Sequence, residues 1–143
     1  MRWRVLDEIV RIEKGVKALT RSRVPEPGEV SPELLMIEMM AQTGGLLLGA
    51  ENDYAENIIF AKIERADFYS RMKSGEKIEI KASSENLKPE GSWIDSEIYH
   101  SGAKIASARL LLMNAGPLVP GQQGSVTFHD AFMKHFNVRE KIR

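Results

Sequence analysis

Ser31-Pro-Glu-Leu-Leu-Met-Ile-Glu-Met-Met-Ala-Gln-Thr-Gly-Gly-Leu-Leu-Leu-Gly49 is the stretch on which the fold turns. It reads as a helix that is apolar nearly all the way round, and such a helix is buried on every side. Ser31 suits the N-cap and Pro32 the first helical position, so the start is well marked. Glu38 and Gln42 interrupt the apolar run four residues apart and therefore share a face. A carboxylate among apolar neighbours must be paired, protonated or used. Two readings stay open for Glu38: a functional acid held in the interior, or a side chain that caps a backbone group or meets solvent at a seam. In the first, burial raises its pKa above that of a free glutamate. Gly44 and Gly45 weaken the helix locally, which implies that something packs very close to them.

Working outward, Val5 to Ile12 and Val16 to Val24 alternate as two strands around a Lys14-Gly15 turn. Pro25, Pro27 and Gly28 make the loop into the helix, and Glu51-Asn52-Asp53 a polar loop after it. Ile58 to Phe68 begins as a continuous apolar run and ends alternating. Glu76 to Ala82, Trp93 to Tyr99 and Lys104 to Met113 alternate between turn signals at Ser74-Gly75, Pro89-Glu90-Gly91-Ser92 and Ser101-Gly102, an antiparallel meander. The plan is α+β: two strands, one long buried helix and four more strands. A helix apolar on all sides needs a curved sheet wrapped around it. Residues 1–113 form this domain. Residues 114–126 read as a linker, and residues 127–143 as a short amphipathic helix with Phe128, Phe132 and Phe136 on one stripe. That stripe is expected to dock on the body or on a partner.

The 143 residues suffice for one core, and the 43% hydrophobic and 28% charged fractions are ordinary for a globular chain. With 20 basic against 20 acidic residues there is no electrostatic reason to expect nucleic acid or an anionic membrane as partner. The absence of cysteine excludes disulfides, thiol nucleophiles and cysteine-bound metal. The opening Met-Arg-Trp-Arg carries charge inside its first apolar run and does not read as a secretory signal, and no apolar run approaches the roughly 20 residues of a membrane span. A cytoplasmic setting is expected.

Leu6-Asp-Glu-Ile-Val-Arg-Ile-Glu-Lys-Gly15, Ile37-Glu-Met-Met-Ala-Gln-Thr-Gly-Gly45 and Phe60-Ala-Lys-Ile-Glu-Arg-Ala-Asp-Phe68, in this order and spacing, resemble the hotdog-fold family of beta-hydroxyacyl-[acyl-carrier-protein] dehydratases. The resemblance covers about Leu6 to Met113. It implies a helix wrapped by a curved antiparallel sheet, a homodimer with acyl tunnels at its interface, and acid–base chemistry on a 3-hydroxyacyl thioester of acyl carrier protein or coenzyme A. It implies no cofactor and no metal. A histidine in the family removes the proton beside the carbonyl, a helix acid assists departure of the hydroxyl, and helix N-terminal amides polarise the carbonyl. By the resemblance Glu38 is the catalytic acid. The substrate-binding set is Glu33 (through its N–H), Gln42, Val24, Phe60 and Ala61.

The family's Gly-His-Phe-Pro-Gly segment is missing, and Val24 stands where its histidine would fall. Position 33, a glycine in the family, is glutamate. Valine transfers no proton, so the implied scheme lacks its base. Of the three histidines, His100 is expected beside an exposed turn, and His129 and His135 on the surface of the C-terminal helix. None forms a metal-ligand spacing, and Ser31, Ser83, Ser84 and Ser101 have no histidine partner at recognisable spacing. Gly44-Gly45 lies inside a helix and is no phosphate loop. The expected function is that of a dehydratase-like protein that binds or acts on acyl thioesters with impaired dehydration. The alternatives are a non-catalytic acyl-binding or partner subunit and an acyl thioesterase. Ile58 to Phe68 is too apolar for a free strand edge and is expected to pair in a dimer.

Overall fold

Short-range alternation and Gly15 at φ +78° close the first hairpin, in which β1 (Glu8–Glu13) pairs antiparallel with β2 (Lys17–Arg23). The computed structural model describes residues 5–117 and 128–143. After the hairpin come α1 (Pro32–Gly49), a 3₁₀ turn at Ala50–Asn52, and β3 (Glu56–Phe68). Next are β4 (Lys77–Ser83), β5 (Gly91–His100) and β6 (Ala103–Pro117). They form one six-stranded antiparallel sheet in the order β1-β2-β4-β5-β6-β3. The expected meander is β4-β5-β6. Its neighbours β2 and β3 come from either side of α1, and no local signal announces those pairings.

The period-two pattern puts Ala18, Thr20, Ile78, Ile80, Ala82, Ile94, Ile98, Ala108, Leu110 and Leu112 on the inner face, all buried. The curved sheet carries α1 against that face, and every residue from Met39 to Ala50 is buried. A polar crossing in this apolar layer is satisfied within itself. Thr43 Oγ1 donates to Met39 O at 2.7 Å and lies 2.8 Å from Thr20 Oγ1, tying helix to strand.

The sheet does not enclose the helix alone. The C-terminal segment, with α2 (Asp130–Phe136) and a 3₁₀ turn at Val138–Lys141, folds back so that Phe128, Phe132, Phe136 and Val138 join the same core. The stripe expected to dock on the body does so. The helix expected over 127–143 is shorter because Asn137 adopts a left-handed φ of 50° and ends it. Likewise β6 continues to Pro117, so the first residues of the expected linker 114–126 belong to a strand. Residues 118–127 lie outside the described residues. No described helix is long and apolar enough to cross a membrane.

Candidate functional site

Ser31 Oγ accepts from Leu34 N at 3.2 Å and Pro32 follows it, so α1 begins where the cap signal places it. Its first turn, with Glu33 exposed, projects toward the loops after β2 and β3. There Val24, Pro25, Pro32, Glu33, Met36, Phe68 and Arg71 are among the residues lining a cavity of about 590 Å³. Val24 is buried, and its backbone is pinned: its N–H donates to Glu76 O at 2.9 Å and its carbonyl accepts from Gly75 N at 2.8 Å. A side chain here faces the cavity, but this one carries no titratable group.

Farther along α1, Glu38 is half-buried at the seam between the helix and β3. Gln42 Nε2 donates to Glu38 Oε1 at 3.4 Å, across one helical turn. Burial pushes the Glu38 carboxyl above its ordinary 4.5, and the Gln42 hydrogen bond opposes this less strongly. The two readings of Glu38 thus meet: it lies at a seam, and it is desolvated there. Glu38, Gln42 and Phe60 line a small cavity of about 40 Å³ with Ala41, Gly45, Ile58, Ile59, Leu112 and Phe128. An acid held toward its neutral form can donate a hydrogen bond to a carbonyl or hydroxyl oxygen, which is the role of a general acid.

Within one chain the candidate residues therefore divide. Val24 and Glu33 line the cavity at the helix start, whereas Glu38, Gln42 and Phe60 line the one at the β3 seam. Ala61 is exposed on β3 and lines neither. No histidine lines either cavity. His100 is half-buried, not loose beside its turn: its Nε2 lies 2.8 Å from a Glu76 oxygen and its Nδ1 3.0 Å from Lys77 O. His129 Nδ1 accepts from Phe132 N at 3.3 Å and caps α2, and His135 is exposed with its ring edge-on to Phe136. Among the described residues no three His, Asp or Glu side chains converge as metal ligands.

The contacts made by the glycines of α1 were not legible in the sequence. Gly44 and Gly45 signal close approach, but not by what. A Cβ at Gly44 would lie 3.0 Å from both Ile94 and Leu112, and one at Gly45 only 2.9 Å from the Phe128 ring. One turn on, a Cβ at Gly49 would overlap Tyr54 at 2.4 Å. Leu112, Phe128 and Tyr54 are distant in sequence from most of α1, so the pattern that puts Leu112 on a strand and Phe128 on a stripe does not say which glycine each packs against.

No model of a known protein family matches the chain. Among curated proteins it is 30% identical over 128 residues to the 3-hydroxyacyl-[acyl-carrier-protein] dehydratase FabZ of Nitratiruptor sp., covering 76% of this chain and 85% of that one. Among solved structures it is similar to the dehydratase heterocomplex ApeI:P of Xenorhabdus doucetiae, with a TM-score of 0.64 and 15% identity, over 80% of this chain and 84% of that one. A hypothetical thioesterase of Streptococcus pneumoniae, solved with coenzyme A, superposes with a TM-score of 0.62 at 12% identity, over 78% of this chain and 88% of that one. At such identities the structural likenesses speak for the fold.

Proposed function

This chain belongs to the family of the 3-hydroxyacyl-[acyl-carrier-protein] dehydratase FabZ, and from that premise we propose that it binds acyl thioesters at the α1–β3 seam while dehydrating them weakly or not at all. One observation carries the reading. The desolvated Glu38 with its Gln42 partner is present at the seam, while a buried valine stands where the family's base would be. Elimination of water from a 3-hydroxyacyl thioester needs a base to take the proton beside the carbonyl and an acid to protonate the departing hydroxyl. Glu38 supplies the acid and Gln42 orients it, whereas Glu33, at the start of α1, lines the other cavity. Val24 cannot supply the base. Loss of one acid–base partner lowers the rate by about 10²–10⁴-fold.

The same proposal includes a homodimer, a thioester carried by acyl carrier protein or coenzyme A, and a cytoplasmic setting. Ile59, Phe60 and Ile63 are exposed on β3, at the outer edge of the sheet, and pairing with a second copy would cover them. A second reading rests on Val24 together with this open edge: the chain serves as the partner subunit of a histidine-bearing hotdog chain. The structurally similar Xenorhabdus assembly is itself a dehydratase heterocomplex.

Hydration of a crotonyl thioester, measured beside thioester binding in the wild type and Glu38→Ala, tests the reading. Binding with little turnover is the expected result, and Glu38→Ala should weaken it. Fast turnover abolished by Glu38→Ala would reveal a base elsewhere. Release of free thiol would make the protein a thioesterase, with Glu38 activating water or orienting the substrate. Activity that emerges only on mixing with a histidine-bearing homologue would favour the partner-subunit reading.

A further inference from the structure

Beside Glu38 a seam runs between α1 and β3 and β6, lined by Ala41, Gly45, Ile58, Phe60, Leu112 and Phe128. This groove is the path open to an acyl chain whose carbonyl lies at Glu38. Glu38, Ala41 or Gln42, and Gly45 succeed one another on one helix face. From Glu38 to Gly45 is two turns, about 10 Å of helix. At Gly45 the groove ends against an aromatic ring. Phe128 is only 2% exposed, and its Cζ and Cε2 would stand 2.9 and 3.1 Å from a Cβ at position 45, so the ring fills the place a side chain would take.

The ring is braced from both sides. Tyr54 meets it edge-on at 5.5 Å and Phe132 at 5.3 Å. Tyr54 is itself fixed, because its hydroxyl donates to Leu46 O at 2.7 Å and its ring fits against Gly49. What remains open beside Glu38 is about 40 Å³. That is far below the ~150 Å³ that admits a benzene ring, so a long apolar chain does not fit without moving the ring.

The geometry points to Phe128 as the residue that closes the acyl groove and confines this chain to short acyl groups. The inference rests on the thioester reading and sharpens it, since it assigns chain-length selection to a residue of the C-terminal segment rather than to the sheet. The ring is held by packing on both sides, so it does not swing aside at little cost. Each further methylene of a longer chain would have to displace it.

The test compares butyryl-pantetheine with decanoyl-pantetheine, pantetheine being common to both carriers. Affinities are measured by titration calorimetry on the full chain, for wild type, Phe128→Ala and Phe128→Leu. Pantetheine alone corrects for carrier binding, and the readout is the ratio of the two acyl affinities. Wild type should favour butyryl, and Phe128→Ala should shift the ratio toward decanoyl by about tenfold or more, the scale at which single methylenes are discriminated in apolar pockets. Phe128→Leu, which keeps an apolar contact on Gly45, should shift it in the same direction by less and decides the matter if the alanine variant does not fold. A ring that serves only to anchor the tail would change stability and leave the ratio unmoved, which overturns the inference. Equal binding of both thioesters by wild type would also overturn it while leaving the thioester reading intact. Failure of either thioester to bind any of the three proteins would remove both.

Discussion

At one edge of the sheet β1 is partly covered by the chain's own C-terminal residues, while at the other β3 leaves Ile59, Phe60 and Ile63 on the surface. Ile12 bridges to Ile142, Arg143 N–H donates to Ile12 O at 2.8 Å, and Lys14 N–H donates to Arg143 O at 3.2 Å. β1 also carries charge, with Arg11 paired to Glu13 and Glu8 reaching Arg21. These are the devices by which an edge is made unattractive to another strand. β3 is longer, and its residues from Ile59 to Arg65 are all exposed. Its inner-face residues Phe60 and Ile63, which lie opposite Leu112 and Leu110, extend past the cover that α1 provides. One sheet thus satisfies one edge from within the chain and leaves the other exposed.

Phe132→Ala breaks the covered side most severely. Phe132 is fully buried and stacks on both Phe128 and Phe136, so its removal should destabilise the fold by about 3–5 kcal/mol. Urea unfolding measures this, and a loss under about 1 kcal/mol would mean that the tail is not integrated with the core. Next in size is the open side. Ile63→Asp should weaken the proposed dimer about a thousandfold, since an anchor worth ~2 kcal/mol is removed twice across a two-fold axis. Sedimentation at a series of concentrations should show the lighter species gaining, while Arg11→Asp at β1 leaves the mass unchanged. The reverse pattern would exchange the roles assigned to the two edges.

The smallest effect lies beside β3, at Glu38. Its folded pKa is raised by burial, so the protonated form is favoured in the folded protein. The associated stability is fully present below the unfolded pKa and is lost as pH rises through the raised folded value. Glu38→Gln should therefore melt close to wild type in mild acid and progressively higher than wild type as pH increases. A melting difference that does not depend on pH would show that the carboxyl is as well solvated in the fold as out of it.

The parts of this molecule that were legible in the sequence are those decided by near neighbours. Ser31 and Pro32 mark the helix start because capping is local, and the β4-β5-β6 meander is legible because each turn joins adjacent strands. Glu38 and Gln42 stand out as polar groups in an apolar helix, and the structure places both at one cavity. The pairings of β2 with β4 and of β3 with β6 depend on chain closure around α1, for which no short window carries a signal. The resemblance ties Val24 to Glu38, yet the chain sets them in separate cavities, because sequence spacing along a loop does not fix where its side chains converge. Phe128 was legible as one of three aromatics on a stripe, but its seat on Gly45 was not.

That seat restricts the routes along which the sequence can change. Position 45 accepts a side chain only after the ring at position 128 has become smaller, since a Cβ there would otherwise stand 2.9 Å from it. Gly45→Ala alone should be selected against, yet become tolerable once Phe128 has been replaced by a smaller residue, so the two substitutions are accessible in one order and not the other. Descendants of this chain that widen the groove would first lose the aromatic ring, and only afterwards could α1 recover the helix propensity that glycine withholds.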